Sequence, residues 1–386
     1  MCTFKRLMFV SRLSALQAVC LLPVIDMEDK VGYYDTNGVQ VIESRFVGGS
    51  LFCNGVARVK SKSESNVKGF FIDQRGNEVF SQWSRNYVWT FGFPIQAWTP
   101  NGTYPVPNTN IAHQNWDFVD SNGSIAFTID TNRYSAHLCA RSYTGDFAAV
   151  ALHDDRHGSD FMEEDTMIYD VKTGACKALE NACLFSCLGD TCVLLRGRFS
   201  KSGRKLQAYK DIFHRADPVW EMDNVMIYFL DPQTAYLSVK RFSPKSKYQT
   251  YSLSGEHMSN IDDTLDKFDN GIFRFYIYNG LVILGNENDE RGVADLTGRI
   301  IVPIEKQGID ISLSGCILIY KDDAAGECTM TICDPSGAAK CSINGNFLPR
   351  RQFEDWIELV KYPGNGNVWI NLVSWRKIAG KGVLES

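Results

Sequence analysis

A turn motif that recurs at a nearly constant interval is the feature that most limits how this 386-residue chain can fold. The motif has an Asp or Ser, two variable residues and a Gly, between runs of β-branched and aromatic residues. Spacing this regular indicates a tandem repeat, because unrelated hairpins would not keep a common period. Eight copies follow one another at a mean interval of about 43 residues, marked by Asp35, Asp73, Asp120, Asp170, Asp211, Ser252, Asp295 and Asp334.

The residues of the motif are those that a tight hairpin turn requires. An Asp or Ser at the first position accepts hydrogen bonds from backbone N–H groups two or three residues further on. The Gly supplies the positive φ that closes a bulged hairpin. Asp170 has its Gly one residue late, at Gly174, and Asp211 has none. We therefore expect the Asp211 turn to close in another way.

Each turn is preceded by a further apolar run, as at 53–60, 279–285 and 314–320. Each unit therefore has at least three antiparallel strands, with a further short strand between units. No segment shows the spacing of an amphipathic helix. Repeated four-stranded units predict an all-β, tandem-repeat β-propeller of seven or eight blades, and an open β-solenoid is the alternative.

We predict a single repeat domain over residues 1–386. The residues 347–386 form a closing hairpin, which could complete a blade begun by the N-terminal strand. The predicted units cover residues 1–46, 47–85, 86–135, 136–181, 182–223, 224–267, 268–308 and 309–346.

Several units resemble the WG repeat, a β-rich unit in which Gly and an aromatic residue precede an Ile-Asp-x-x-Gly turn. The best matches are NGVARVK with VKGFFIDQRGNEVF at 54–80, ERGVADLTGRIIVPIEK at 290–306, and DKVGYYDTNGVQVIESRF at 29–46. The resemblance covers most of the chain, but units three to six lack the aromatic-Gly signature. It implies a repeat β architecture and suggests a binding role, and it carries over no catalytic residue.

Composition excludes several classes of function. The net charge is -5, and no run of Lys and Arg is long enough to follow a phosphate backbone, which argues against nucleic acid. No segment reaches the roughly 20 apolar residues of a membrane helix. Residues 13–25 resemble a signal peptide, but part of this segment is needed as the first strand. The sequence therefore favours the cytoplasm, and a secreted or periplasmic location stays open.

The twelve cysteines do not have the spacing of a metal site. None forms a Cys-x-x-Cys pair, and the closest group, Cys176, Cys183, Cys187 and Cys192, is unevenly spaced without a flanking His. We predict that they are small buried strand residues. Disulfides are expected only if the chain is secreted.

The longest irregular insertion, residues 92–116, holds the candidate partner-binding residues. They are Trp98, Tyr104, His113 and Trp116. Inserts in repeat proteins often project from one face and bind partners. The alternative is a packed loop whose aromatic residues cover a blade edge. A second loop, 152–166, is rich in acids, but its spacing is that of a solvated hairpin rather than of a calcium site.

No catalytic signature accompanies the repeat. The chain lacks a sialidase-type box, a Gly-x-Ser-x-Gly elbow and a phosphate loop. We assign no catalytic, cofactor-binding or metal-binding residue. The predicted function is a non-enzymatic scaffold of the WG-repeat type that binds a protein partner. The alternative is a carbohydrate-binding or carbohydrate-active propeller.

Overall fold

The computed structural model describes most of the chain between Leu21 and Gly380. The described ranges are 21–26, 28–52, 55–62, 67–83, 85–87, 104–107, 116–120, 122–129, 135–137, 147–153, 164–170, 175–179, 182–197, 203–215, 217–243, 247–268, 272–312, 314–322, 328–353, 355–362 and 366–380. They form nine antiparallel sheets, each built from strands that are consecutive in sequence.

By packing, the chain divides into two compact units, Met1–Leu179 with Leu348–Ser386, and Glu180–Phe347. The first unit holds sheets 1 to 4 and, apart from Phe347, sheet 9. Sheet 1 contains β1 Leu22–Ile25, β2 Val31–Tyr34 and β3 Gln40–Phe46. Sheet 2 contains β4 Gly48–Gly49, β5 Val56–Lys62, β6 Val67–Asp73, β7 Glu78–Val79 and β8 Arg85–Tyr87, with a 3₁₀ turn at Ser81–Trp83.

Sheet 3 contains β9 Tyr104–Pro107, β10 Trp116–Val119 and β11 Ile125–Ile129. Sheet 4 contains β12 Ser135–His137, β13 Phe147–His153, β14 Glu164–Asp170 and β15 Cys176–Leu179.

The second unit holds sheets 5 to 8. Sheet 5 contains β16 Ala182–Leu188, β17 Thr191–Arg196, β18 Lys205–Lys210 and β19 Trp220–Met222. Sheet 6 contains β20 Val225–Asp231, β21 Tyr236–Arg241 and β22 Tyr248–Ser252, followed by helix α1 Ser259–Leu265. Sheet 7 contains β23 Phe273–Tyr278, β24 Leu281–Gly285, β25 Arg291–Asp295 and β26 Ile300–Glu305.

Sheet 8 contains β27 Gly308–Ile311, β28 Ile317–Asp322, β29 Cys328–Cys333 and β30 Ala339–Asn344. Sheet 9 contains β31 Phe347–Phe353, β32 Trp356–Lys361, β33 Asn367–Asn371 and β34 Lys377–Ala379.

The sheets have the blade organisation of a β-propeller, and the predicted fold class is confirmed. Each sheet pairs strands that follow one another in the chain, with β8 at the boundary between the second and third predicted units. An open β-solenoid would instead continue the ladder hydrogen bonds from one sheet into the next, and no pairing between sheets occurs among the described strands.

The described residues form nine sheets, where seven or eight blades were expected. The C-terminal segment accounts for the difference. It forms a four-stranded sheet of its own, and β1 pairs with β2 instead of entering that sheet.

Apolar side chains join neighbouring sheets within the first unit. Trp356, Trp369 and Ile378 of sheet 9 share a core with Leu22 and Val24 of sheet 1. A second core, which includes Tyr33, Phe46, Phe52, Val59 and Ile72, joins sheets 1 and 2.

The repeated turns close with the predicted Asp or Ser and Gly, but the side-chain oxygen accepts N–H groups two or four residues further on, instead of two or three. The carboxylate of Asp334 accepts the N–H groups of Ser336 at 2.9 Å and Ala338 at 3.1 Å, and the Gly337 N–H donates to the Asp334 carbonyl. Gly337 has a φ of 90°. In the copy that begins with Ser252, the hydroxyl accepts the N–H of Glu256 at 3.1 Å.

The turn at Asp211 closes differently, as its missing Gly predicted. Asp211 itself has a positive φ of 53°, which Asp tolerates better than most residues. Its carbonyl accepts the N–H groups of His214 and Arg215. In the copy marked by Asp170, residues 171–174 lie outside the described residues.

Two features differ from the prediction. Helix α1 occurs where no helix was expected, because seven residues are too few for a clear periodic pattern. Cys187 and Cys192 form a disulfide, since the β16–β17 pairing places them directly opposite each other. Among the described free cysteines, Cys316, Cys333 and Cys341 are buried, in agreement with the prediction, whereas Cys328 is only half-buried.

Candidate functional site

Of the four predicted partner-binding residues, two lie on described strands. Tyr104 begins β9 and Trp116 begins the neighbouring strand β10. The register pairs Tyr104 with Val119 and Trp116 with Pro107, so the two residues lie at opposite ends of the strand pair. Trp98 and His113 lie outside the described residues. The structure therefore leaves this site a prediction.

The insertion 92–116 is less irregular than expected, because it contains strand β9. Two of the four residues of β9 are prolines, Pro105 and Pro107. Proline cannot donate a ladder hydrogen bond, and β9 lies at the edge of sheet 3, where that loss is tolerated. In the second predicted loop, His153 pairs with Glu164 across β13 and β14, and residues 154–163 lie outside the described residues.

A buried polar cluster surrounds Arg274 on β23. Its guanidinium donates to Asp262 Oδ1 at 2.5 Å and to Thr250 Oγ1 at 3.0 Å, and also to the carbonyl of Tyr248. The Asp262 carboxylate further accepts the Thr250 N–H and lies 2.7 Å from His257 Nε2. The cluster ties α1 to sheets 6 and 7. Because most polar atoms of the cluster are engaged in these hydrogen bonds, we assign the cluster a structural role.

A row of half-buried aromatic side chains crosses three successive sheets of the second unit. Phe229 on β20 stacks on Tyr276 of β23, with ring centroids 4.0 Å apart at 22°. Phe229 also contacts Tyr248 of β22, at 6.2 Å. The carboxylate of Asp310 on β27 contributes to the raised pKa of Tyr276, and it accepts a hydrogen bond from Tyr320 Oη at 2.9 Å. We call these five residues the aromatic row.

A β-bulge in β23 accounts for the position of Tyr276. The pairing of β23 with β24 shifts register between Arg274 and Ile277. A bulge leaves an extra residue unpaired and re-aims side chains, and such bulges are common beside functional sites. As a result, the adjacent residues Phe275 and Tyr276 are both half-buried, instead of alternating between core and solvent.

Cations flank the aromatic row on neighbouring positions. Lys240 Nζ lies 5.6 Å from the ring centre of Tyr248. The Arg291 guanidinium lies 4.4 Å over Phe275 and is held by Asp289 Oδ1 at 2.6 Å. Phe273, which is 38% exposed, packs edge-on against Phe275 at 5.3 Å.

The environment keeps the tyrosines of the row neutral over a wide pH range. Burial, and then Asp310, raise the pKa of Tyr276 to about 12. Burial, and then Tyr276, raise the pKa of Tyr248 to about 12. The pKa of Tyr320 is raised by burial and by Asp310. The tyrosines therefore add hydroxyl groups and ring faces to the row but no charge at neutral pH.

Sequence reasoning missed the aromatic row, although one signal for it was present. The segment FRFYIY at 273–278 holds four aromatic residues, two of them adjacent. Side chains of successive strand residues point to opposite faces, so a single buried face cannot take them all. Which partners they would find on other sheets could not be read from the segment itself.

The described residues contain no group of three or more His, Cys, Asp or Glu side chains placed to hold a metal ion. Within the same ranges, no helix is long and apolar enough to cross a membrane.

Comparison with known proteins shows a fold and no family. No family profile matches the chain, and no curated protein sequence does. A eukaryotic initiation factor has a similar structure, with a TM-score of 0.56 and 10% identity over 92% of this chain and 94% of that one.

Two further structures are less similar. BamB from Moraxella catarrhalis has a TM-score of 0.42 and 13% identity, over 81% of this chain and 93% of BamB. The β-propeller domain of the Trilobed protease from Pyrococcus furiosus also has a TM-score of 0.42 and 13% identity, over 61% of this chain and 82% of that domain. At such identities the likeness concerns the fold alone, and the chain has the fold of a β-propeller.

Proposed function

We propose that this chain is a non-enzymatic β-propeller scaffold that binds a protein partner through the aromatic row. The observation that carries the proposal is the set of ring contacts by which Phe229 joins Tyr248 and Tyr276 across sheets 6 and 7. These three side chains and the Asp310–Tyr320 pair of sheet 8 are all half-buried. The side chains are thus held by their neighbours while part of each faces solvent.

Such a surface has the composition of a protein interface. Aromatic residues and Arg are enriched where proteins meet, and a few of them usually carry most of the binding free energy. Phe229 contacts the rings of both Tyr248 and Tyr276, so binding would order few additional side chains there. A small loss of side-chain conformational entropy on binding is one reason why rigid aromatic residues bind well. The resemblance to WG repeats, which suggests a binding role, supports the same proposal.

A carbohydrate ligand is the second candidate, because aromatic rings beside a carboxylate also suit sugars. The stacking within the row argues against it. Phe229 and Tyr276 turn ring faces toward each other at 4.0 Å, and those faces are not open to a sugar ring.

Site-specific photo-crosslinking tests the proposal. A photoreactive phenylalanine analogue replaces Tyr248, at one end of the row, and in a matched variant it replaces Val219, which is 54% exposed on the same unit. Both variants are irradiated in native lysate, and the adducts are identified by mass spectrometry.

We expect one dominant protein adduct at position 248 that is absent at position 219. The same adduct pattern at both positions would contradict the proposal. Glycan-array binding that is lost in Phe229→Ala, without a protein adduct, would favour the carbohydrate candidate instead.

A further inference from the structure

Lys240 of β21 places a positive charge on the surface that carries the aromatic row. The register pairs Lys240 with Tyr248 and Phe229 with Ser238. Residues two positions apart on a strand point to the same face of the sheet, so Ser238 and Lys240 share a face with the two rings. The Ser238 hydroxyl accepts the Ile277 N–H of β23 at 2.9 Å. Lys240 therefore lies on the face of sheet 6 that meets sheet 7, beside the aromatic row.

The carboxylates of α1 near this surface are engaged by other cations. Asp262 pairs with Arg274 at 2.5 Å, and Asp266 pairs with Lys247 at 3.5 Å. Lys240 forms no ion pair with a carboxylate of the described residues, and its Nζ lies 5.6 Å from the ring centre of its neighbour on β22. A ring face attracts a cation but does not neutralise its charge. Lys240 therefore leaves this end of the row positively charged.

Two hydroxyl groups of the row are hydrogen-bonded by no described residue. They belong to Tyr248 and Tyr276, whose ring centroids lie 6.2 Å and 4.0 Å from that of Phe229. Both hydroxyls keep their protons at neutral pH, because burial raises the pKa of each tyrosine to about 12. A protonated phenol can donate a hydrogen bond. The row thus presents two hydroxyl donors and an ammonium group, which together suit an anion.

A partner that covers the row has to satisfy these groups. Lys240 is half-buried, so contact with a partner would remove much of its remaining water. An ammonium group that loses water without gaining an anion costs free energy, as does a hydroxyl that loses its hydrogen bonds. A carboxylate neutralises the ammonium, and its two oxygens can accept several hydrogen bonds. A neutral amide could accept from the hydroxyls but would leave the charge unpaired.

We propose that the Lys240 end of the aromatic row binds an acidic side chain, Asp or Glu, of the partner protein. Lys240 forms an ion pair with the carboxylate, and the hydroxyls of Tyr248 and Tyr276 donate hydrogen bonds to the same segment of the partner. This inference rests on the proposed function, because it names the chemistry that the same surface recognises.

A peptide selection followed by a double-mutant cycle tests the inference. A random dodecapeptide library on phage is selected against the purified full chain, and peptides whose binding falls in Tyr248→Phe are kept. The tightest of them is synthesised as selected and with each acidic residue replaced in turn by its amide. Dissociation constants are measured for the wild type, Lys240→Gln and Lys306→Gln. Lys306 is an exposed lysine after β26 and serves as the matched control.

We expect the selected peptides to share an acidic residue. Its replacement by the amide should weaken binding about tenfold on the wild type and on Lys306→Gln, and less than about twofold on Lys240→Gln. Glutamine at position 240 keeps most of the length of the side chain and removes its charge. A thermal midpoint close to that of the wild type would exclude a folding effect.

Peptides that bind the row without an acidic residue would overturn the inference and leave a protein-binding surface. The same holds if the amide weakens binding equally on the wild type and on Lys240→Gln. A selection that yields no peptide dependent on Tyr248 would overturn the inference as well. Photo-crosslinking at position 248 would then test the proposed function on its own.

Discussion

The side chain of Asn367, near the C-terminal end of the chain, holds the backbone of Ile25 near its start. The Ile25 N–H donates to Asn367 Oδ1 at 2.6 Å, and Asn367 Nδ2 donates to the carbonyl of Pro23 at 3.0 Å. Trp369 Nε1 donates to the same carbonyl at 2.7 Å. Sheet 9 is therefore joined to sheet 1 by side-chain hydrogen bonds to strand β1 and by a shared core, rather than by a shared strand ladder.

Replacing Asn367 should therefore weaken the first unit markedly. Asn367 is fully buried, so Asn367→Ala leaves several buried polar groups, including the Glu358 carboxylate, without this partner. We expect the free energy of unfolding to fall by about 2–4 kcal/mol, measured by urea denaturation. Asn371→Ala on the same strand removes hydrogen bonds in an exposed turn and should cost about 1 kcal/mol. Equal losses would contradict the assigned role of Asn367.

The turn glycine Gly255 should tolerate a methyl group poorly for two separate reasons. Its φ is 86°, and a Cβ there would lie 2.8 Å from the Trp220 ring of the preceding sheet. Gly255→Ala should lower the free energy of unfolding by about 2–4 kcal/mol. Gly189 has a φ of 61° with no atom near its Cβ position, so Gly189→Ala reports the backbone contribution alone, about 1–2 kcal/mol. Denaturation midpoints of both variants give the comparison, and a Gly255→Ala loss no larger than that of Gly189→Ala would rule out the packing effect.

Arg274 pairs with the buried charge of Asp262, so its loss should strongly destabilise the second unit. Arg274→Met removes the cation that pairs with Asp262 inside the fold. Breaking such a buried pair costs about 3–5 kcal/mol. Lys205→Met breaks an exposed pair with Glu221 and should cost less than about 1 kcal/mol. Thermal and urea unfolding of both variants test this, and the expectation fails if Arg274→Met is as mild as Lys205→Met.

The neutral tyrosines of the aromatic row should make stability fall at high pH. The pKa of Tyr276 is raised to about 12 in the fold, whereas an unfolded tyrosine ionises near pH 10. Between these values the unfolded state loses a proton that the folded state keeps, so the free energy of unfolding decreases as pH rises. Tyr276→Phe cannot ionise and should show a shallower decrease between about pH 9.5 and 11.5.

Urea denaturation across this pH interval measures the effect. Tyr362→Phe, at a tyrosine that is 62% exposed, provides the control and should keep the slope of the wild type. If Tyr276→Phe and the wild type lose stability at the same rate, the burial assigned to Tyr276 is incorrect.

Much of the fold could be predicted because its signals are local. The hydrogen bonds of an Asp-x-x-Gly turn lie within five consecutive residues, as at Asp334–Ala338. A turn that lacks its Gly, as at Asp211, was recognisable for the same reason. Helix α1 was not predicted, because Ile261 and Leu265 are its only buried apolar residues and two residues are too few to define a helical period.

The candidate site could not be predicted in the same way. Phe229, Tyr276 and Asp310 come from three sheets and are far apart in sequence, and a register shift in β23 determines that Tyr276 reaches its neighbours. No single segment contains that information. The prediction instead favoured residues 92–116, where aromatic residues are close together along the chain.

The sequence by itself determined the repeat, the turns and the all-β propeller class, because each depends on contacts between residues close in the chain. Only the tertiary structure decided that the C-terminal strands form a separate sheet bound to β1 through Asn367 and Trp369. It also decided which aromatic side chains meet in the row. Both outcomes depend on packing between sheets, where the distance along the chain no longer limits which residues are in contact.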